Sequence, residues 1–176
     1  MQVSTGVEVS AVNFEQDILR HLDSAYNLAR WLVRSPLDAE DVVQEAVLRA
    51  FKYFRGCRGG DTKAWFLRIV RNTATTWLAQ HRPEALEEEV LSRLPSPEAE
   101  PDAVYLQAVD GEVLRRAIES LPTLHAEALV LREIEGLSYK AIADVADVPI
   151  GTVMSRLARA RKRLQEILGP TFRRVP

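Results

Sequence analysis

Residues 135–168 read EGLSYKAIADVADVPIGTVMSRLARARKRLQEIL, and the fold follows from this stretch. It reads as a short helix, a tight turn and a longer basic helix. The hydroxyl of Ser138 is placed to cap the first helix by accepting from an otherwise orphan backbone N–H. Leu137, Ile142, Ala143 and Ala146 give that helix an apolar side. Asp147-Val148-Pro149 breaks it, and Pro149 suits the start of the next helix because it has no N–H to lose there. In the second helix Val153, Leu157, Ala160, Leu164 and Ile167 recur at steps of four, three, four and three, which predicts one narrow buried stripe. Ser155, Arg159 and Lys162 fall on the opposite side, flanked by Arg156, Arg161 and Arg163. A helix–turn–helix needs such a second helix, buried on one side, cationic on the other and slim enough for the major groove of DNA. A solvated surface helix is the plainer alternative. The capped helix upstream, and the single acid Glu166 interrupting the basic run, favour DNA.

Outward from this stretch, composition bounds the rest. A chain of 176 residues holds one domain or two small ones, and 47% hydrophobic with 27% charged residues is ordinary for a globular protein. No apolar run is long enough to span a bilayer, and the first residues lack the basic and apolar regions of a signal peptide. The expectation is a protein of the cytoplasm with no membrane insertion. The single cysteine, Cys57, excludes an internal disulfide and a Cys-rich zinc site, and it reads as an incidental thiol. The net charge of −2 hides segregation: from Pro83 to Asp102 there are seven acids and one base, and from Met154 to Arg163 five bases and no acid.

Residues 1–12 show no periodicity and read as a tail. From Phe14 the pattern is helical, with Phe14, Ile18, Leu22, Ala25 and Ala29 in step, until Ser35-Pro36 stops it. A second helix is predicted from near Asp38, its first turn acidic as the helix dipole favours. Val42, Val43, Ala46, Val47, Ala50, Tyr53 and Phe54 are predicted inside it, and Glu40, Asp41, Gln44, Glu45 and Arg49 outside. The outer face is either simply solvated or a docking face for a protein. The Gly-rich segment around Arg55 and Arg58 cannot continue a helix, and Asp61 or Thr62 is placed to cap the next one. On that helix Trp65, Ile69, Ala74 or Thr73, and Trp77 are expected on the core side, and Arg68, Arg71, Asn72, Thr75, Thr76 and Arg82 elsewhere. Basic and amide side chains beside a Gly-rich loop suit phosphates and splayed bases. Prolines and acids over 83–103 mark a linker between two domains. Helices resume over Val104–Ser120, with Val113, Leu114, Ala117 and Leu121 inside, and over Ala126–Glu135, with Leu129, Val130 and Ile134 inside. A tail is predicted from Gly169-Pro170.

No enzyme signature stands out. His21, His81 and His125 lie far apart in no metal-ligand spacing, and no phosphate-binding glycine motif follows a strand pattern. No catalytic residue, cofactor, metal or small-molecule substrate is expected.

Together DAEDVVQEAVLRAF (38–51), WFLRIVRNTA (65–74), the acidic Pro-rich linker and LPTLHAEALVLREIEGLSYKAIADVADVPIGTVMSRLARARKRL (121–164) resemble a group IV, extracytoplasmic-function RNA polymerase sigma factor of the sigma-70 superfamily. The resemblance covers about residues 13–168. It implies an all-α fold of two small helical domains, a sigma-two bundle over 13–82 and a sigma-four helix–turn–helix over 104–168. It implies a role as an alternative sigma factor that binds core RNA polymerase and directs promoter-specific initiation under the control of an anti-sigma factor. Asp38, Glu40, Asp41, Gln44, Glu45 and Arg49 are then expected to dock on the clamp helices of the β′ subunit. Arg55, Arg58, Lys63, Arg68, Arg71, Asn72 and Thr75 are expected at the melted −10 element of promoter DNA, where unpaired bases are read once out of the stack. Thr152, Met154, Ser155, Arg156, Ala158, Arg159 and Lys162 are expected at the −35 duplex, with the β-flap holding the outer face of this domain. The linker is expected to thread toward the active-site cleft. Met154 and Ala158 depart from the family, which often carries Lys or Arg at the first position and a larger aromatic or His at the second; an apolar side chain there suits a thymine methyl.

Two other readings compete. A dimeric helix–turn–helix regulator explains the last third of the chain but has no need of residues 38–82. A helical adaptor leaves the basic helix as surface decoration.

Overall fold

The computed structural model describes residues 14–54, 61–82 and 111–172, with side chains as far as Gly169. These residues form helices and connecting turns, with no strand among them, as expected for an all-α chain. They group into two compact units, the first running to Arg82 with residues Asp144–Asp147 grouped with it, the second taking the rest.

The first unit holds a turn of helix at Phe14, a 3₁₀ turn (Leu19–His21), α1 (Leu22–Val33), α2 (Pro36–Tyr53) and α3 (Thr62–His81). The three long helices pack on one another. The continuous helix predicted from Phe14 is thus interrupted. Phe14 and Ile18 still reach the core, but beyond the 3₁₀ turn Leu22 comes out exposed. Arg34 ends α1 in the left-handed region at φ 57, its N–H bonded to the Arg30 carbonyl at 3.0 Å. α2 then starts two residues before the predicted position. Pro36 lies in its first turn, where the missing N–H is one the helix leaves unpaired anyway, and Ser35 Oγ accepts from the Asp38 N–H at 3.4 Å. The dipeptide that stops one helix therefore starts the next.

α2 buries Ala39, Val42, Ala46 and Ala50, a narrow and mostly alanine stripe that leaves Val43 and Val47 half-covered and Tyr53 exposed. α3 is capped by Asp61, whose Oδ1 accepts from the Ala64 N–H at 3.1 Å. Its buried side is Ala64, Phe66, Leu67, Val70, Thr73, Ala74 and Leu78. Trp65 and Trp77, expected in the core, are only half-buried. They sit one step off the buried stripe: Trp65 meets the Phe54 ring at 6.5 Å, and Trp77 stacks on His81 at 4.4 Å. Arg82 closes the unit. It donates to Asp38 Oδ2 at 2.9 Å and to the Val33 carbonyl at 3.3 Å, tying the end of α3 to the α1–α2 junction.

The second unit runs through α4 (Gly111–Glu119), α5 (Thr123–Leu129) with a widened π turn (Val130–Ile134), α6 (Tyr139–Ala146) and α7 (Ile150–Phe172). α4 buries Ala117 and Ile118 and leaves Val113 exposed, against expectation. α5 starts at Thr123 rather than at Ala126, and buries Leu124 as well as Leu129, Val130 and Leu131. Ile134, predicted inside, is exposed, because the π turn shifts the register of its last residues. Gly136 follows at φ 70, a conformation that a side chain would strain. Arg132 then donates to the Leu137 carbonyl at 2.8 Å and lies over the Tyr139 ring at 5.0 Å, fixing the entry into α6.

α4 and α5 both pack on α7. The buried stripe of α7 is Val153, Leu157, Ala160, Leu164 and Leu168, with Leu168 in the place predicted for Ile167. A straight helix drifts from a strict seven-residue repeat, so the stripe moves on by one residue within two heptads. α7 also runs past the predicted stop. Pro170 lies in the final turn, and the helix ends two residues later, at Phe172. The N-terminal tail, the loop with Arg55, Cys57 and Arg58, and the linker lie outside the described residues.

Candidate nucleic-acid interface

Two helices meeting at a tight turn build the first surface. Ser138 Oγ accepts from the Ala141 N–H at 3.1 Å, the predicted cap, and Leu137, Ile142, Ala143, Val145 and Ala146 turn inward. Asp147 takes a left-handed conformation at φ 53, and the Val148 N–H bonds back to the Ala143 carbonyl at 3.1 Å. This closes α6 in the way a glycine usually does, and Asp tolerates the conformation better than most residues. The Pro149 carbonyl then accepts from the Thr152 N–H at 2.9 Å and opens α7.

The cations of α7 separate into classes that composition does not reveal. Arg156 is 7% exposed and faces the core, its Nη1 3.9 Å from Oε2 of Glu127, which is 1% exposed. A buried charge needs a partner, and the acid on α5 meets that need. Arg161 pairs with Glu133 at 2.7 Å, and Arg163 with Glu166 at 3.0 Å. Arg159 and Lys162 lie on the outer side with Ser155 and Thr152, three and four residues apart and so on neighbouring rows. Ser155 Oγ donates to the Thr152 carbonyl at 3.0 Å and keeps its lone pairs for an incoming donor. Arg156 therefore stands apart from the other residues predicted at this face. His125 lies beside them. Burial, and then the positive charges of Arg159 and Arg156, push its pKa below the ordinary histidine value.

Met154 and Ala158 were predicted here from the sequence; Ile150 was missed. Ile150 is 44% and Met154 53% exposed, one helical turn apart. The step of four from Met154 was the signal available for it.

In the first unit, Arg68, Arg71, Asn72 and Thr75 follow one another at steps of three, one and three along α3, bordering its buried stripe. Arg68 and Asn72 are exposed, and Lys63, Arg71 and Thr75 half-buried. Thr75 Oγ1 donates to the Arg71 carbonyl at 3.0 Å and Thr76 Oγ1 to the Asn72 carbonyl at 2.9 Å, so both hydroxyls are left as acceptors. Among the described residues no group of three His, Cys, Asp or Glu side chains is arranged to hold a metal ion.

The outer face of α2 is of another kind. Glu40, Asp41, Gln44 and Glu45 are exposed, and Arg49 bonds Glu45 at 2.7 Å. Asp38, predicted with them, turns instead to Arg82 within its own unit. Sequence periodicity missed the apolar part of this face. Leu37 is 74%, Leu48 66% and Phe51 58% exposed, and with Asp41 and Gln44 they step along one side of the helix. Three large apolar side chains in one exposed row are unusual for a monomer surface.

Comparisons with known proteins give the family. The family description "Sigma-70 region 2" matches residues 18–84, and "Sigma-70, region 4" matches residues 111–164. The chain is 33% identical to the ECF RNA polymerase sigma factor SigE of Mycolicibacterium smegmatis over 94% of its length, and spans 65% of that relative. It is 36% identical to the ECF RNA polymerase sigma-E factor of Escherichia coli over 78% of its length, spanning 77% of that protein. Among solved structures, the sigma factor RpoE of Bartonella quintana, in complex with the anti-sigma factor NepR, superposes with a TM-score of 0.68 at 28% identity, over 89% of this chain and 97% of that one. CnrH, in complex with the cytosolic domain of CnrY, shares the fold with a TM-score of 0.60.

Proposed function

Because the chain belongs to the extracytoplasmic-function sigma factors of RNA polymerase, we propose that it binds core RNA polymerase and directs initiation at a particular set of promoters. One observation carries this reading: the two units present solvent-facing surfaces of opposite character, acidic with exposed leucines on α2 and cationic on α7. A dimeric DNA-binding regulator has no use for the first, and an adaptor none for the second.

In this reading the α2 face, through Glu40, Asp41, Gln44 and Glu45 with Leu37, Leu48 and Phe51, docks on the clamp helices of the β′ subunit. Asp38 acts from inside, by holding Arg82. The row Arg68, Arg71, Asn72 and Thr75 on α3, with Lys63 at its start, meets the separated −10 strand. Arg55 and Arg58 join it from the neighbouring loop. Thr152, Ser155, Arg159 and Lys162 read the −35 duplex, and Arg156 is a positioning residue that fixes α7 through Glu127. The β-flap holds the outer face of the second unit. The protein works in the cytoplasm as a dissociable subunit, without catalysis, cofactor or small-molecule substrate of its own. An anti-sigma factor restrains it, as the complex of the Bartonella quintana sigma factor RpoE with the anti-sigma factor NepR suggests.

Arg159→Ala tests the reading surface. Loss of one base-reading arginine is expected to weaken promoter binding by about 1–3 kcal/mol while association with core polymerase is kept. Electrophoretic mobility shifts with the reconstituted holoenzyme measure the first, and gel filtration the second. Unchanged promoter affinity rejects the assignment of Arg159.

A further inference from the structure

The exposed side of α7 is not uniformly polar. Ile150, Met154 and Ala158 follow one another at steps of four, and Lys162 continues the series; each step turns about 40° round the helix, so the row starts at the edge of the buried stripe and ends on the cationic side. Ile150 and Met154 are exposed although both are large and apolar, and Ala158 between them and Lys162 is half-covered. Ser155 and Arg159 flank the row on one side. The buried stripe of the same helix is fully supplied by Val153, Leu157, Ala160, Leu164 and Leu168, so the core makes no use of this row.

Resting on the reading of α7 as a major-groove helix, we infer that Ile150 and Met154 are specificity-determining residues that read thymine through its C5 methyl group. Charge selects this occupant. The row ends at Lys162 and runs beside Arg159, so whatever covers it carries negative charge next to small apolar groups. Duplex DNA offers that combination in the major groove, where thymine presents the only base methyl among acceptors and phosphates. Neither Ile150 nor Met154 can donate a hydrogen bond to guanine O6 or N7, so a guanine facing this row loses its usual arginine or lysine partner. The row therefore favours thymine by contact and disfavours guanine by leaving its acceptors unmatched. Ser155 and Arg159, one row over, remain for donor and acceptor readout.

The test compares thymine with deoxyuridine, which differs only by the methyl. The full chain, assembled with bacterial core polymerase, selects binding sequences from a randomised duplex library. The recovered duplex is then synthesised with thymine or with deoxyuridine in its upstream motif. Holoenzyme affinity is expected to fall about fourfold for each contacted methyl removed, the effect of one buried carbon. In Ile150→Ser/Met154→Ser the thymine-to-deoxyuridine ratio is expected to approach one. Because the ratio is taken within one preparation, a partly misfolded variant does not disguise it. Equal affinity of the natural holoenzyme for both duplexes, or recovered motifs without thymine, overturns the inference and leaves α7 as a reader by other residues. Failure to recover any duplex overturns it together with the reading of α7 as a DNA helix.

Discussion

Glu127→Ala is expected to destabilise the second unit by about 3–5 kcal/mol, because it removes the buried carboxylate 3.9 Å from the buried Arg156 guanidinium. The residual charge cannot be neutralised by deprotonation, since an arginine keeps its proton at any ordinary pH. The structure can respond only by drawing water in or by swinging the guanidinium out, and either displaces α7 from α5. The contrast is Glu127→Leu/Arg156→Met. With both charges gone and the volume kept, stability is expected to return to near the natural value or above it. The protein carries its own reporters for this experiment. Its tryptophans are Trp31, Trp65 and Trp77, all in the first unit. Tryptophan fluorescence during urea unfolding therefore follows the first unit, and far-ultraviolet circular dichroism follows both. Glu127→Ala should move a circular-dichroism transition to lower urea and leave the fluorescence midpoint in place. An unmoved circular-dichroism curve contradicts the structural role assigned to the pair.

Asp41→Lys/Glu45→Lys is expected to abolish co-elution with core polymerase, in line with the proposed docking face on α2. Like charges set against one another across an interface cost several kcal/mol, and a loss on the order of 3 kcal/mol lowers affinity about a hundredfold. Fold stability should barely change. Asp41 is exposed, and the Glu45–Arg49 pair is a surface pair at steps of four, of the kind worth about 0–1 kcal/mol. Gel filtration with core polymerase and urea unfolding of the isolated variant separate the two effects. A variant that unfolds at the natural urea concentration yet still elutes with core dismisses the face.

The helix–turn–helix was legible in the sequence because local chemistry specifies it. Ser138 had to cap, Asp147-Val148-Pro149 had to break, and the spacing of Val153, Leu157, Ala160 and Leu164 allowed only one buried side. The same rules located α2 and α3 and the cap at Asp61. They failed where the answer depends on a partner remote in sequence. Arg156 looks like its basic neighbours until α5 brings Glu127 to it. Asp38 looks like Glu40 and Asp41 until Arg82 folds back over it. Periodicity also misjudged phase where a helix carries large apolar residues on more than one side. Trp65 and Trp77 drew the predicted core of α3 toward themselves, whereas Phe66, Leu67 and Val70 occupy it. Periodicity assigned Leu37, Leu48 and Phe51 to neither face of α2. The buried stripe there is made mostly of alanines, which weigh little on any hydrophobic scale.

The two proposed DNA surfaces and the docking face serve one claim, that this chain gives core polymerase its promoter. Run-off transcription tests it most directly. Purified chain and bacterial core polymerase are combined on a linear template bearing the sequence the holoenzyme selects, with core alone as control. Co-elution of the two proteins and a discrete transcript that depends on the added chain are predicted. Tight, dimeric binding of duplex DNA by the isolated chain, with no association with core and no transcript, contradicts the account.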